Sequence, residues 1–459
     1  MTDLLIVSGL GHTLLVALGL LLYVLATRIG QQRRNPAAAL AWVLGIVAFP
    51  YLAVPLFIAF GTRKFARPLR QPRRVIQGPQ PGPPWAAPVL ASLGLAPAVQ
   101  AQRVAFQADG AQALQALLDT IASARRRLDV CTFILGNDAV GQRVAAALAE
   151  AARRGVITRL LIDAVGSMKT RRALLEQLEH SGVRVRRFMP LVHNPMRGRV
   201  NLRNHRKLVV ADGVRLWSGG RNLAAEYFVS QGAEPAWMDL SYCASGPLAA
   251  QAQAQFRADW RAATGYRYVA RTAQPVQPRA EGTPVQWVPS GPDHADDTVH
   301  ALLLAGAYHA RERIWAVTPY FVPDDALLAA WCMACRRGVQ VRLLVPARSN
   351  HRLADWARER ALRDLVAAGG EVFLAPHMQH AKAVLIDDDF ALAGSLNLDA
   401  RSLFLNYECM TAFYGPDELR WLHGWCAGEM AGAAHYHSRR PSWLREMAEG
   451  VVRAVGFQL

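Results

Sequence analysis

Two stretches of this chain share one pattern. His205-Arg-Lys207 is completed by Asp212, and His380-Ala-Lys382 by Asp387, so both read His-x-Lys-x-x-x-x-Asp. Lysine is scarce: only Lys64, Lys169, Lys207 and Lys382 occur. Two of these four stand two places after a histidine and five before an aspartate, which marks a repeat rather than motif noise. Two imidazoles and two ammonium groups are enough to cleave a phosphodiester without a metal. The ammonium groups offset charge on the non-bridging oxygens, a neutral imidazole attacks phosphorus, and a protonated second imidazole gives its proton to the leaving alkoxide.

The surroundings repeat as well. Gly219-Gly220-Arg-Asn222 follows the first copy and Gly394-Ser395-Leu-Asn397 the second. Asn222 and Asn397 can add hydrogen bonds to a phosphoryl group, in loops that contain Gly220 and Ser395. Asp239 lies downstream of His205 and Glu408 downstream of His380. Chain order pairs Asp239 with His205 and Glu408 with His380, each carboxylate fixing the tautomer of its imidazole. Asp212 and Asp387 complete the repeated set and are counted with it, although holding the ends of strands is the work expected of them. Carboxylates this few and dispersed imply no magnesium cage, so no metal and no cofactor is expected. His193, His377, His435 and His437 lack such partners and read as surface or structural residues.

These groups need elements to position them. Arg153-Arg-Gly-Val156 and Arg336-Arg-Gly-Val339 each close a helix-like stretch and open an apolar strand. Residues 111–124 have helical spacing before a strand at 128–135, and 327–337 before a strand at 340–345. The fold expected is α/β, with two similar lobes about a pseudo-twofold axis. The organisation expected is a membrane hairpin at 1–62, a basic and proline-rich linker at 63–100, a first lobe at 101–271, a link at 272–283 and a second lobe at 284–459. Trp443, Leu444, Met447, Val451 and Val455 share a face of a C-terminal helix expected to pack on the second lobe.

The hairpin rests on two apolar stretches, 4–27 and 37–61, each long enough to span a bilayer, joined around Arg33, Arg34, Asn35 and Pro36. The start, Met-Thr-Asp, is unlike a cleavable signal peptide. Arg63, Lys64, Arg67, Arg70, Arg73 and Arg74 follow the second stretch and favour a cytoplasmic catalytic part. A net charge of +17 points to an anionic partner, lipid or nucleic acid. Six cysteines show no disulfide spacing.

The duplicated His-Lys-Asp motif, with Thr318-Pro-Tyr-Phe321 and the run from Gly394 to Ser402, resembles the phospholipase D superfamily over most of the chain. Within it the nearest likeness is to the bacterial cardiolipin synthases. That resemblance implies two α/β lobes with a site at their interface, His205 as nucleophile and His380 as acid/base, although the symmetry of the sequence leaves the two roles interchangeable. It implies a phosphatidyltransferase of the bacterial inner membrane that makes cardiolipin from phosphatidylglycerol, with phosphatidylethanolamine open as a donor. A hydrolase or nuclease of the same fold is the rival, with a non-catalytic membrane scaffold behind it. Two membrane spans and the lack of aromatic-basic interleaving argue against nucleic acid.

Overall fold

The computed structural model describes residues 2–29, 36–61, 82–190, 201–232, 234–264, 282–294, 296–438, 441–443, 445–447 and 449–450. The expected hairpin loop at Arg33 to Asn35, the basic run from Arg63 to Arg74, most of the link at 272–283, His193, and Leu444, Val451 and Val455 lie outside the described residues.

The apolar N-terminal region forms helices α1 (Thr2–Ile29), α2 (Pro36–Ala48) and α3 (Pro50–Phe60). The second apolar stretch is therefore two helices, broken where Pro50 removes a backbone donor. Tyr23 and Trp42 pack on Phe57, and Ile46, Ala53 and Val54 form a small core among the three. Among the described residues no helix is long and apolar enough to cross a membrane.

After α4 (Ala86–Ser92), the first lobe runs β1 (Val99–Gln107), α5 (Gly110–Ala122), β2 (Arg127–Thr132), α6 (Ala139–Arg153), β3 (Ile157–Asp163), α7 (Arg172–His180), β4 (Arg184–Phe188), β5 (Leu208–Ala211), β6 (Arg215–Gly219), β7 (Ser241–Ser245) and α8 (Pro247–Thr264). The second runs β8 (Thr283–Ser290), α9 (Thr298–His309), β9 (Arg313–Val317), β10 (Phe321–Val322), α10 (Asp325–Arg336), β11 (Gln340–Pro346), α11 (Arg352–Ala367), β12 (Glu371–Ala375), β13 (Ala383–Ile386), β14 (Phe390–Gly394), β15 (Leu398–Asp399), α12 (Ala400–Phe404), β16 (Glu408–Phe413), α13 (Pro416–Ala431) and β17 (Ala434–His435).

The strand order shows the duplication directly. The first lobe is ordered β1-β7-β6-β5-β2-β3-β4 and the second β8-β16-β14-β13-β9-β11-β12, with β17 added at its edge. Antiparallel pairing of β1 with β8, Val99 opposite Val285, fuses the halves into one 15-stranded sheet. The fold is α/β with two similar halves.

Local chemistry accounts for these elements. On α5, Ala113, Leu114, Leu117 and Ile121 are buried at helical spacing, and Asp109 caps the helix by accepting from the Gln112 N–H. Gly155 and Gly338 close α6 and α10 at φ +84° and +90°, a left-handed conformation that favours glycine. Strands β5 and β13 are buried along their whole length, and each lies antiparallel to the first parallel strand of its own lobe. One core is shared between lobes: Phe188, Leu208, Tyr242 and Phe256 from the first pack with Trp287, Leu385 and Phe413 from the second.

Candidate active site

Each His-x-Lys tripeptide enters its buried strand, so the histidines and lysines stand at the same end of β5 and β13. Two short parallel bridges then tie each histidine segment to the opposite lobe. The His205 N–H donates to the Tyr407 carbonyl at 2.9 Å and the Tyr407 N–H to the Arg203 carbonyl at 2.9 Å. The His380 N–H donates to the Met238 carbonyl at 2.6 Å and the Met238 N–H to the Met378 carbonyl at 3.0 Å.

These bridges cross the carboxylates. His205 Nδ1 lies 2.9 Å and 3.0 Å from the two Glu408 oxygens, and His380 Nδ1 lies 2.6 Å from Asp239 Oδ2. The pairing expected from chain order, Asp239 with His205 and Glu408 with His380, is thus corrected. The reason is the sheet order. β7 and β16 flank the β1–β8 seam, so the residues at their starts stand nearer the other lobe than β5 and β13 do. In both pairs Nδ1–H donates to a carboxylate, which leaves the Nε2 lone pair of each ring for chemistry.

The site is buried, and its charged groups act on one another. His205, Lys207, His380, Lys382, Asp239 and Glu408 are all buried. Burial pushes His205 down to about 4; Glu408 opposes this, while Lys207 and Lys382 add to it. Burial and then Lys382 push His380 down to about 3. Burial also lowers Lys207 to about 8 and Lys382 to about 7. It would raise the carboxyls, yet His380 and Lys382 hold Asp239 down at about 2, and His205 holds Glu408 below its usual range. Because Lys382 acts on His205 and Lys207 on His380, the two half-sites share one electrostatic environment. Lys207 Nζ donates to the His205 carbonyl at 2.6 Å, and Lys382 Nζ donates to the His380 carbonyl while lying 2.8 Å and 3.0 Å from the two ring nitrogens.

Gly220 and Ser395 occupy equivalent places and differ for a reason. Ser395 Oγ donates to Glu408 Oε2 at 2.5 Å, whereas a Cβ at Gly220 would overlap the Asp239 carboxylate. Asn222 is already engaged: it accepts from the Ile134 N–H at 3.3 Å and donates to Tyr227 Oη at 2.8 Å. Asn397 Oδ1 is buried with no hydrogen-bond partner among the described residues.

Asp212 and Asp387 do not join the site. Five residues of extended chain put roughly 16 Å between each lysine and its aspartate. Asp212 accepts from the N–H groups of Arg125, Arg126 and Arg127 at 2.9, 2.8 and 2.7 Å, and Asp387 from Arg311, Glu312 and Arg313 at 3.1, 2.9 and 3.0 Å. Both adopt positive φ, +56° and +49°, in the turns that follow their strands. They fasten the start of β2 and β9, the work expected of them from the sequence.

Other residues were missed. Arg206 is fully buried, with its guanidinium 2.5 Å from Asp259, 3.1 Å from Asp293 and donating to the Glu408 carbonyl at 2.9 Å. Burial lowers it, but the two carboxylates more than offset this and hold it charged. Arg221 is equally buried and donates to four oxygens of residues 107, 108, 227 and 241. The second lobe has Ala381 and Leu396 at these places. The rings of Phe133 on His205, at 5.1 Å, and Tyr227 on His380, at 4.9 Å, wall the site. Position gave one signal for Arg206: it lies between two inward-pointing residues of an extended segment and so faces the other way. Among the described residues no group of three or more His, Cys, Asp or Glu could hold a metal ion.

Comparison with known proteins agrees with this geometry. The family described as "Cardiolipin synthase, PLD-like domain" matches residues 117–260 and 303–427. Cardiolipin synthase A of Pseudomonas aeruginosa is 34% identical over 418 residues, 86% of this chain and 85% of its own length. Cardiolipin synthase 1 of Bacillus cereus is 30% identical over 412 residues, 83% and 81%. The crystal structure of phosphatidylserine synthase from Haemophilus influenzae Rd KW20 matches with a TM-score of 0.61 at 14% identity, over 80% of this chain and 98% of that one, which shows the fold. Polyphosphate kinase from Porphyromonas gingivalis matches with a TM-score of 0.51 at 11% identity, over 78% and 53%. The chain belongs to the cardiolipin synthase family of phospholipase D-like proteins.

Proposed function

We propose that this phosphatidyltransferase condenses two phosphatidylglycerol molecules into cardiolipin and glycerol through a phosphatidyl-histidine. The observation that carries the reading is the crossed pairing of His205 with Glu408 and His380 with Asp239 in one buried site with two lysines. A phosphodiester monoanion entering between Lys207 and Lys382 offsets the lysine charge that adds to burial in depressing His380, so protonation of His380 becomes easier as substrate binds. His205 Nε2 then attacks phosphorus, the P–O bond to the headgroup breaks, and His380 gives its proton to the departing glycerol oxygen. The hydroxyl of a second phosphatidylglycerol loses a proton to His380 and attacks phosphorus, and the P–N bond breaks. Burial of the site favours this transfer over hydrolysis because water is kept from the intermediate.

The same reading takes the N-terminal helices as a two-span anchor in the bacterial inner membrane, with the catalytic part cytoplasmic. It is supported by exposed Leu10, Leu14, Leu18 and Leu21 on α1 and by Leu40, Leu44, Leu52 and Leu56 on α2 and α3, apolar groups that water does not stabilise.

The test is chromatography of the lipids formed by the purified full chain in phosphatidylglycerol vesicles. Cardiolipin and glycerol in equal amounts are expected, with none from His205→Ala or His380→Ala. Phosphatidic acid as the sole phospholipid product overturns the reading in favour of a hydrolase.

A further inference from the structure

The loops that follow β3 and β11 are equivalent in the two lobes, and both border the site. Ser167 Oγ donates to the Phe133 carbonyl at 2.9 Å, and Phe133 lies on the His205 ring. In the second lobe, Tyr320 donates to Asn350 Oδ1 at 2.5 Å and packs on His351 at 5.4 Å. Tyr320 is also close enough to act electrostatically on Tyr227, which lies on the His380 ring. Ligands of open α/β sheets enter at this end of parallel strands.

The surface of these loops and of the first turns of α7 and α11 that follow them is unusual. Met168 is 63% exposed, Leu353 54% and Trp356 55%, on either side of a site whose own side chains are buried. Beside them Lys169, Arg171 and Arg172 in one loop, and Arg348 and Arg352 in the other, are also exposed. Residues 165–172 and 347–353 contain no carboxylate. Large apolar groups interleaved with an excess of cations, with Asp355 beside Trp356 paired to Arg358 at 3.2 Å and Glu176 paired to Arg172 at 2.7 Å, match an anionic bilayer surface, where the apolar groups enter the acyl boundary and the cations stay with the headgroups.

We propose that these two loops form a pair of lips that seat on an anionic phospholipid bilayer, so that a lipid headgroup enters the site without its acyl chains leaving the membrane. The proposal rests on the lipid substrate proposed above. It differs from anchoring: the hairpin keeps the protein on a membrane, and the lips orient the site against it.

The test compares two forms of one substrate with the full chain. Activity is measured on long-chain phosphatidylglycerol in reconstituted vesicles, and on dihexanoyl phosphatidylglycerol in detergent below its micelle concentration. Met168→Asp combined with Leu353→Asp should lower the ratio of vesicle to monomer activity about tenfold or more, the size expected when two such side chains no longer leave water. Ile157→Asp, at the opposite end of β3 and also exposed, should leave the ratio as it is. An unchanged ratio in the double variant overturns the lips, and so does an equal loss on both substrates. If the double variant does not fold, a bimane on Met168→Cys should be quenched by brominated phosphatidylglycerol in vesicles, and unquenched fluorescence overturns the proposal. Lack of turnover by the unaltered chain on either form overturns the function reading instead.

Discussion

An ammonium group buried beside another holds its proton weakly. Lys382 falls to about 7 and Lys207 to about 8, with both histidines far lower. The cations that receive the phosphodiester are therefore full below pH 7 and are lost as pH rises through 7 to 8. We expect kcat/KM for phosphatidylglycerol to fall across that range, with its acid limb near pH 4 where His205 Nε2 gains a proton. A profile flat to pH 10 contradicts this. The crossed carboxylates make a second prediction. Glu408→Gln should leave the fold intact and lower the rate by about 10⁴, as a wrong tautomer does, and Asp239→Asn should do the same through His380. Both are read from initial rates on protein of unchanged melting temperature. The identities of the reacting residues were legible in the sequence because the His-x-Lys pattern is local. Their partners were not, since chain order carries proximity within a lobe while the Glu408–His205 contact is made across the seam.

Strands β5 and β13 separate two functions that the motif writes as one. Their amino ends present imidazole and ammonium, while their carboxyl ends present Asp212 and Asp387 to backbone N–H groups at the start of the neighbouring strands β2 and β9. Asp212→Ala should lower stability by about 1–2 kcal/mol, since three N–H groups lose their acceptor where water can partly replace it. Activity per folded molecule should change less than tenfold. Denaturant unfolding with rate measurement separates the two, and a loss as large as that of His205→Ala returns Asp212 to the chemistry. The alternation of helix and strand was readable here: residues 111–124 and 327–337 form α5 and α10 nearly as spaced. The break of 37–61 into α2 and α3 was not taken from Pro50, because a membrane helix can tolerate proline.

The whole molecule behaves as one unit because its centre belongs to both lobes. The shared core and the β1–β8 pairing join the halves, although each lobe also buries a core of its own. Arg206 adds to this seam, joining Asp259 of α8 to Ser290 and Asp293 of the second lobe. Arg206→Ala should cost about 3–5 kcal/mol by leaving Asp259 buried without its counter-charge, and Arg206→Ala with Asp259→Ala together should recover part of the loss. The melting temperatures of the three variants check this; additive losses contradict it. In a chain with 52 lysines and arginines, its place between His205 and Lys207 on an extended segment is the one sequence feature that sets Arg206 apart from a surface cation. Its burial depends on α8 and the end of β8 closing over the segment that enters β5, which only the assembled fold determines.

Paired imidazoles from opposite lobes acting in two displacements can be tested by catching the state between them. The full chain would be mixed with phosphatidylglycerol carrying labelled phosphorus, quenched in base within the first turnover, and digested for peptide mapping. The expected result is a phosphoramidate on His205 that forms within the first turnover, and that is absent from His205→Ala. Cardiolipin formation with no labelled peptide, or label that persists in His205→Ala, contradicts the account.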